Sequence, residues 1–328
     1  MTRLMISPAL PAELSTALER KLHGFSRTDA ARRSSQISAT YRSGGGSHTI
    51  KTEGDALAYA LARMPATYAA IAASLNALTD VAPDFAPKSL IDVGAGPGTA
   101  SWAAAEAFAS LQTFTLLESN RAMAQLALEL AGSSSLSERL YVPGDAGTNL
   151  AKVSPADLVI ASYFVGELKD REQRALTAAM WDKAREALVV VEPGTPGGYA
   201  RILALRGQLI AQGAQVAAPC PHERECPLIA PDWCHFGQRL PRLQAHKQIK
   251  DAEVPFEDEK FAYVVLTRRP AARGWARVLA PPLIGKAEIT AKLCTEGGLN
   301  FRKVPRRDKP AYAVARRWRW GDAVPEER

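Results

Sequence analysis

No stretch of this 328-residue chain approaches the roughly 18 consecutive apolar residues that a membrane-crossing helix needs, so no membrane is expected among its partners. Its opening residues, MTRLMISPALPAELSTALERKL, hold no long apolar segment and carry Glu13 and Glu19. That makes a poor secretory or transit peptide, so a cytoplasmic setting is expected, or the mitochondrial matrix for a eukaryotic chain. Aromatic residues are few, at 7%, and there are only 4 cysteines, which suggest metal chemistry rather than a disulfide framework. The G-x-G-x-x-G hexapeptide of nicotinamide enzymes is missing, since Thr99, Ala100 and Ser101 follow Gly98.

What cysteine there is falls unevenly. Three of the four lie in the run CPHERECPLIAPDWCHF, with spacing C-x5-C-x7-C, and the fourth, Cys294, follows sixty residues after Cys234. Cys220 and Cys226 are each followed by proline, which stiffens a loop and removes an N–H donor. Thiolates select zinc, copper(I) or iron–sulfur clusters. Zinc sites usually draw on tight C-x2-4-C pairs, and every gap here is wider, which favours a bulkier cluster. Zinc and unligated thiols stay open as alternatives, because free cysteine is commonly a small buried hydrophobe. Against that last reading, the neighbours His222, Glu223, Arg224 and Glu225 do not have a core composition. His222 and His235 are alternative ligands, or groups that orient ligands.

Net charge is +7, and from Arg268 onward 15 Lys and Arg stand against 6 Asp and Glu. Trp275, Tyr312, Trp318 and Trp320 are interleaved with that charge, the pattern of a polyanion-binding surface. Its alternative is a solvated charged face.

The apolar spacing predicts a helix at 12–22, then a basic patch (Arg27, Arg32, Arg33, Arg42) and the flexible tract at 43–47. Leu57, Leu61, Met64, Tyr68, Ile71, Leu75 and Leu78 recur at helical spacing, interrupted by Pro65, so two helices or one kinked helix are expected over 55–78. Strands are expected at 89–93, 113–117, 140–142, 157–162, 188–191, 260–267 and 275–279, with helices at 100–110, 121–131, 172–187 and 199–212 between them. This alternation argues for a doubly wound parallel sheet. A further hairpin is expected from 286–293 and 299–304.

Ligand-binding residues of such sheets lie at the C-terminal ends of strands. Asp92 and Gly94, Gly96 and Gly98 follow the first strand, Glu118 ends the second, Asp145 follows the third and Ser162 ends the fourth. A carboxylate at Glu118 suits the two hydroxyls of a ribose, and one at Asp145 an adenine ring. D-x-G-x-G-x-G with these acids resembles a class I S-adenosylmethionine-dependent methyltransferase.

The motifs IDVGAGPGTASWA, ASYFVGEL, VEPGTPGGYARI, CPHERECPL, DWCHFGQR and EDEKFAYVVL, in that order, resemble the Rsm-type methyltransferase-like proteins of the small ribosomal subunit, over about residues 50–320. The resemblance implies an α/β class I methyltransferase fold: a Rossmann-like seven-stranded sheet with an N-terminal helical cap (1–84), a methyltransferase-like domain (85–280) carrying a cysteine-rich insertion (213–259), and a small basic β-containing C-terminal extension (281–328). It implies a [4Fe–4S] cluster on Cys220, Cys226, Cys234 and Cys294, S-adenosylmethionine held by Asp92, Gly94, Gly96, Gly98, Glu118, Asp145 and Ser162, and small-subunit rRNA as partner with no DNA specificity. Whether methyl transfer occurs stays open. The (N/D)-P-P-Y motif used for exocyclic amino groups is replaced by Ser162-Tyr163-Phe164-Val165, the C-x3-C-x2-C motif of radical methyl transfer is absent, and no catalytic residue is assigned. Glu167 is a conceivable base, or a solvated carboxylate at a helix start. A catalytically inactive assembly factor and a zinc-stabilised RNA methyltransferase are the alternatives.

Overall fold

The computed structural model describes residues 5–23, 25–42, 45–132, 139–242 and 254–326. A central sheet of eight strands organises the chain: β1 (Ser89–Val93), β2 (Thr113–Glu118), β3 (Arg139–Pro143), β4 (Ala156–Ser162), β5 (Ala184–Pro193), β6 (Gln215–Ala218), β7 (Phe236–Pro241) and β8 (Phe256–Thr267). Their order is β3-β2-β1-β4-β5-β8-β6, with β7 also on β8. Strands β1 to β5 are parallel, and β8 runs antiparallel to β5, β6 and β7. This is the class I methyltransferase sheet: five parallel strands, a reversed strand, and a last strand at the edge.

Side-chain alternation splits the core in two. Leu90, Leu116, Leu158, Ile160, Val189 and Val265 face α1 (Ala12–Leu22), α2 (Arg27–Arg42), α3 (Glu53–Val81), α4 (Thr99–Ala107) and α5 (Arg121–Ala131). Ile91, Val159, Leu188, Val190, Val264 and Leu266 face α6 (Ala146–Leu150), α7 (Asp170–Lys183) and α8 (Pro196–Ile210).

The expected helical cap forms one 29-residue helix, α3, which runs through Pro65. All seven stripe residues are buried, and Thr52 and Asp55 close its start with a capping box. The helix packs on the sheet, so its stripe is core. The 27–42 basic patch is itself a helix, α2, in which Arg32 and Arg33 pair with Asp29, and Arg33 also with Asp55. Of the flexible tract, residues 43 and 44 lie outside the described residues. Among the described residues no helix is long and apolar enough to cross a membrane.

Two expectations are corrected. Trp275–Val278 is a strand, but it does not complete the central sheet. It is β9 of a second sheet with β10 (Leu283–Ile284), β11 (Glu288–Thr295), β12 (Gly298–Pro305) and β13 (Ala323–Pro325), the short helix α9 (Lys309–Ala315) lying between β12 and β13 in the chain. The edge place belongs to β6, inside the segment expected to be an insertion. The helix expected to reach residue 187 stops at Lys183, because Ala184 to Ala187 already belong to β5. Pairing with β4 overrides the local helix preference of that alanine–arginine–glutamate run.

The strand β8 explains where the cysteine segment sits. β6 pairs with its last residues, Ala218 opposite Val265, and β7 with its first half, Phe236 opposite Phe261. Both use one edge of β8, and the chain between them, 219–235, loops out where neither covers it.

Leu75 of α3 is fully buried between cap and sheet. Leu75→Ala is expected to lower stability by about 2–5 kcal/mol, read as a lower midpoint in urea denaturation at unchanged slope.

Candidate cofactor cleft and four-cysteine cavity

The first site forms at the C-terminal ends of β1, β2, β3 and β4. Gly94, Gly96 and Gly98 all have positive φ, at 68°, 54° and 81°, the left-handed region in which a side chain is strained. Gly94 N and Ala95 N donate to Leu117 O, which draws the loop onto the end of β2. A Cβ at Gly94 would collide with the Phe164 ring, whereas a Cβ at Gly96 would meet nothing within 4 Å, so the loop faces open space there.

Asp92 is fully buried below the loop, and its Oδ2 accepts from Ser101 N at 3.1 Å and Ser101 Oγ at 2.9 Å. It thereby ties β1 to the first turn of α4. Glu118 Oε2 accepts from Gly96 N at 2.8 Å and its Oε1 from Asn120 N at 2.6 Å. Asp145 is exposed and caps α6 through Thr148 N at 2.8 Å, and Ser162 is half-buried at the end of β4. The structure thus brings Gly94, Gly96, Gly98 and Glu118 into one hydrogen-bonded loop system, with Asp92 beneath it and Asp145 and Ser162 at neighbouring strand ends.

Three features were not legible in the motifs. The turn Ser47–Thr49 straps across these strand ends: Asn120 Nδ2 donates to Ser47 O at 3.0 Å and Ile50 O at 2.8 Å, while Ser47 N and Oγ donate to Glu167 Oε2 at 3.1 and 2.8 Å. Glu167, the conceivable base, is therefore spent on the strap. Tyr163 has φ 54°, the one non-glycine positive φ among the described residues, and its hydroxyl donates to Glu259 at 2.8 Å. A strained residue directly after β4 is a common mark of a functional loop. Glu192, at the end of β5, is 1% exposed and accepts from Arg201 Nε at 2.7 Å. The sequence signal for Asn120 was its place two residues after Glu118, ahead of a helix.

The second site is the looped-out cysteine segment. Cys220, Cys226, Cys234 and Cys294 line a single cavity together with Tyr199 and Arg206 of α8, Tyr263 of β8 and Arg277 of β9. Cys294 reaches it because β11 pairs with β9, placing Cys294 opposite Arg277. All four cysteines are free thiols. Tyr199 Oη donates to Cys226 Sγ at 3.1 Å, and His222 Nε2 lies 3.5 Å from Cys294 Sγ. Among the described residues, no three His, Cys, Asp or Glu side chains close tightly enough on one point to hold a metal ion.

Clamps on several sides fix the segment, Arg273 pairing with Glu223 among them. Arg206 Nη2 donates to His222 O at 2.7 Å, Arg277 Nε to Pro219 O at 3.0 Å, and Trp233 Nε1 to Gly194 O at 3.0 Å, while Lys292 pairs with Asp232. Arg206 and Arg277 are 4% and 2% exposed, yet Arg206 Nε and Arg277 Nη2 have no hydrogen-bond partner, and neither guanidinium pairs with a carboxylate among the described residues. Two buried cations facing four sulfurs are costly unless the cavity carries negative charge. Burial, and then the neighbouring sulfurs, pushes Cys294 up to about 12 and Cys234 well above the ordinary thiol value.

A family model described as "Mitochondrial small ribosomal subunit Rsm22" matches residues 53–325. The chain belongs to this family. It is 31% identical over 293 residues to the human "Ribosome assembly protein METTL17, mitochondrial", covering 84% of this chain and 63% of that protein. It is 25% identical over 335 residues to the "Rsm22-cox11 tandem protein 2, mitochondrial" of Schizosaccharomyces pombe, of which it spans 44%. Among solved structures, the magnesium protoporphyrin IX methyltransferase of Synechocystis PCC 6803 aligns over 70% of this chain and 90% of its own, at 13% identity and TM-score 0.41. The precorrin-6y C5,15-methyltransferase of Geobacter metallireducens aligns over 60% and 86%, at 12% identity and TM-score 0.40.

Burial holds the Glu118 carboxyl above its ordinary value of 4.5, against the pull of the amides of Asn120 and Gly96. Its folded state therefore binds the proton more tightly than the unfolded state, and its contribution to stability is present at low pH and lost as pH rises through the folded value. Stability of Glu118→Gln, followed by denaturation from pH 4 to 8, is expected to lack that component, giving a difference from the parent chain that grows from about pH 4.5 upward.

Proposed function

We propose that this chain is a methyltransferase-like assembly factor of the small ribosomal subunit that carries a [4Fe–4S] cluster, binds S-adenosylmethionine and contacts rRNA. The four-cysteine cavity carries the reading. Sulfurs from the 219–235 loop and from a strand sixty residues later line one cavity, with two buried and incompletely bonded guanidinium groups beside them. A cluster bound by four thiolates carries net negative charge, which suits the buried arginines. With four cysteine ligands no iron is left open to a substrate, so the cluster braces the cysteine loop against the C-terminal sheet or senses redox state. The names of the relatives support the ribosomal assignment and a mitochondrial matrix location for a eukaryotic chain, with the cytoplasm the corresponding place in a bacterium.

In the cleft, Gly94, Gly96 and Gly98 form the wall against which the methionine moiety would lie, with Asp92 bracing that wall from below. Glu118 suits the ribose, Asp145 the adenine, and Ser162 the region between the cofactor and an acceptor. S-adenosylmethionine supplies a reactive sulfonium, and the protein's part in methyl transfer is positioning an acceptor in line with it. Here Tyr163 turns away to Glu259 and Glu167 is held by the strap, which favours assembly over catalysis. The basic C-terminal segment supports rRNA contact through phosphates, without DNA specificity.

Protein purified without oxygen is expected to be brown and to contain iron and acid-labile sulfide in equal amounts, with both lost in Cys294→Ser; a colourless, zinc-rich preparation would overturn the cluster assignment. Isothermal titration with S-adenosylmethionine, combined with mass analysis of rRNA from a deletion strain, separates the two roles. Normal methyl marks with stalled small subunits are expected; a lost mark restored only by a cofactor-binding protein would make it an enzyme.

A further inference from the structure

Beside the cysteine segment lies a cleft of about 900 Å³ that the proposed chemistry leaves unused. One wall is the Met5–Pro8 stretch, clamped to α3 by Asn76, whose Oδ1 accepts from Ile6 N and whose Nδ2 donates to Ile6 O, both at 3.0 Å. The opposite wall is the β7–β8 edge and the turn carrying Trp320. Trp320 is placed by packing alone. His235 meets it edge-on at 4.9 Å and itself stacks on Trp233, and a Cβ at Gly237 would approach the Trp320 ring to 3.1 Å, closer than a relaxed contact. Among the described residues its indole Nε1 finds no hydrogen-bond partner.

Charge in the cleft is unevenly spent. Arg239 is neutralised by Asp258 through two bonds of 2.8 and 2.9 Å, whereas Lys260 and Arg319, both exposed, form no ion pair among the described residues. Asp322, the other acid of the cleft, already accepts from Arg319 N at 2.7 Å. The apolar part of the lining is made of small or ring-closed side chains, Ala72, Ala73, Pro8 and Pro281, beside Met5 and Ile6. An aromatic ring beside two exposed cations, of which Arg319 also feels the charge of Asp322, is the arrangement that holds an unstacked base and its phosphate.

We propose that this cleft is a binding site for single-stranded RNA, with a base against Trp320 and the adjoining phosphates at Lys260 and Arg319. This rests on the rRNA-binding reading above and gives it a location on the molecule. The test is fluorescence polarisation with the full chain and a labelled ten-nucleotide single-stranded RNA, beside a duplex of the same length, over a range of salt. Lys260→Ala with Arg319→Ala, two surface changes outside the packed core, is expected to weaken single-strand binding at least tenfold and to flatten the salt dependence by about 1.4 logarithmic units per decade, the value for two lost phosphate contacts. Trp320→Ala is expected to cost about tenfold and Trp320→Phe much less. Unchanged affinity and salt slope in the lysine–arginine variant, with the parent chain binding well, would overturn the site but leave RNA binding standing. Equal affinity for duplex and single strand would also overturn it. No binding of either RNA by the parent chain would overturn the underlying reading itself.

Discussion

The buried guanidinium of Arg277 is the joint between the two sheets. From β9 it reaches Pro219 O at the mouth of the cysteine loop and Gly321 O at 2.6 Å in the C-terminal turn, stacks over Trp275, and stands opposite Cys294. A charge removed from water at this depth is tolerated only where bonds and counter-charge meet it. The small basic sheet is docked through this guanidinium together with Trp275 and Trp320, which pack into the main core, while its own cores are small clusters around Ala276, Leu293 and Ile289.

The candidate cofactor cleft follows a different logic. It is built from backbone: glycine amides turned by positive φ, carbonyls at the ends of β1 and β2, and one carboxylate, Glu118, that links them. The side chains around it are committed to one another, Asn120 and Glu167 to the strap and Tyr163 to Glu259. A backbone-lined cleft keeps its shape when its chemistry is lost. That is consistent with a methyltransferase fold serving as scaffold, in keeping with the general independence of fold and activity.

Much of this was legible from residues alone, for reasons that differ by element. The helices at Ala12–Leu22 and Arg121–Ala131 and the strands β1, β2 and β4 carry their periodicity on their own surface. The hairpin of β11 and β12 was marked by Glu296-Gly297-Gly298. By contrast, α2 has no apolar stripe to reveal it, and β6 is four residues long between Gly213 and Pro219. Trp275–Val278 announces a strand but not which sheet it joins, because pairing partners far along the chain decide that. The convergence of Cys294 on the other three cysteines was an inference from chemistry. Its geometric means, the pairing of β11 with β9 beside a loop that two short strands leave open on one edge of β8, was invisible to spacing.

That shared edge has a consequence for how the protein is made. Ribosomes deliver Cys220, Cys226 and Cys234 together, but the cavity lacks its fourth wall until β11 has been synthesised and has found β9. Until then the nascent chain offers three unprotected thiols at an open rim, vulnerable to air oxidation and to the wrong metal. Rapid docking of the tail once it emerges would shorten that interval.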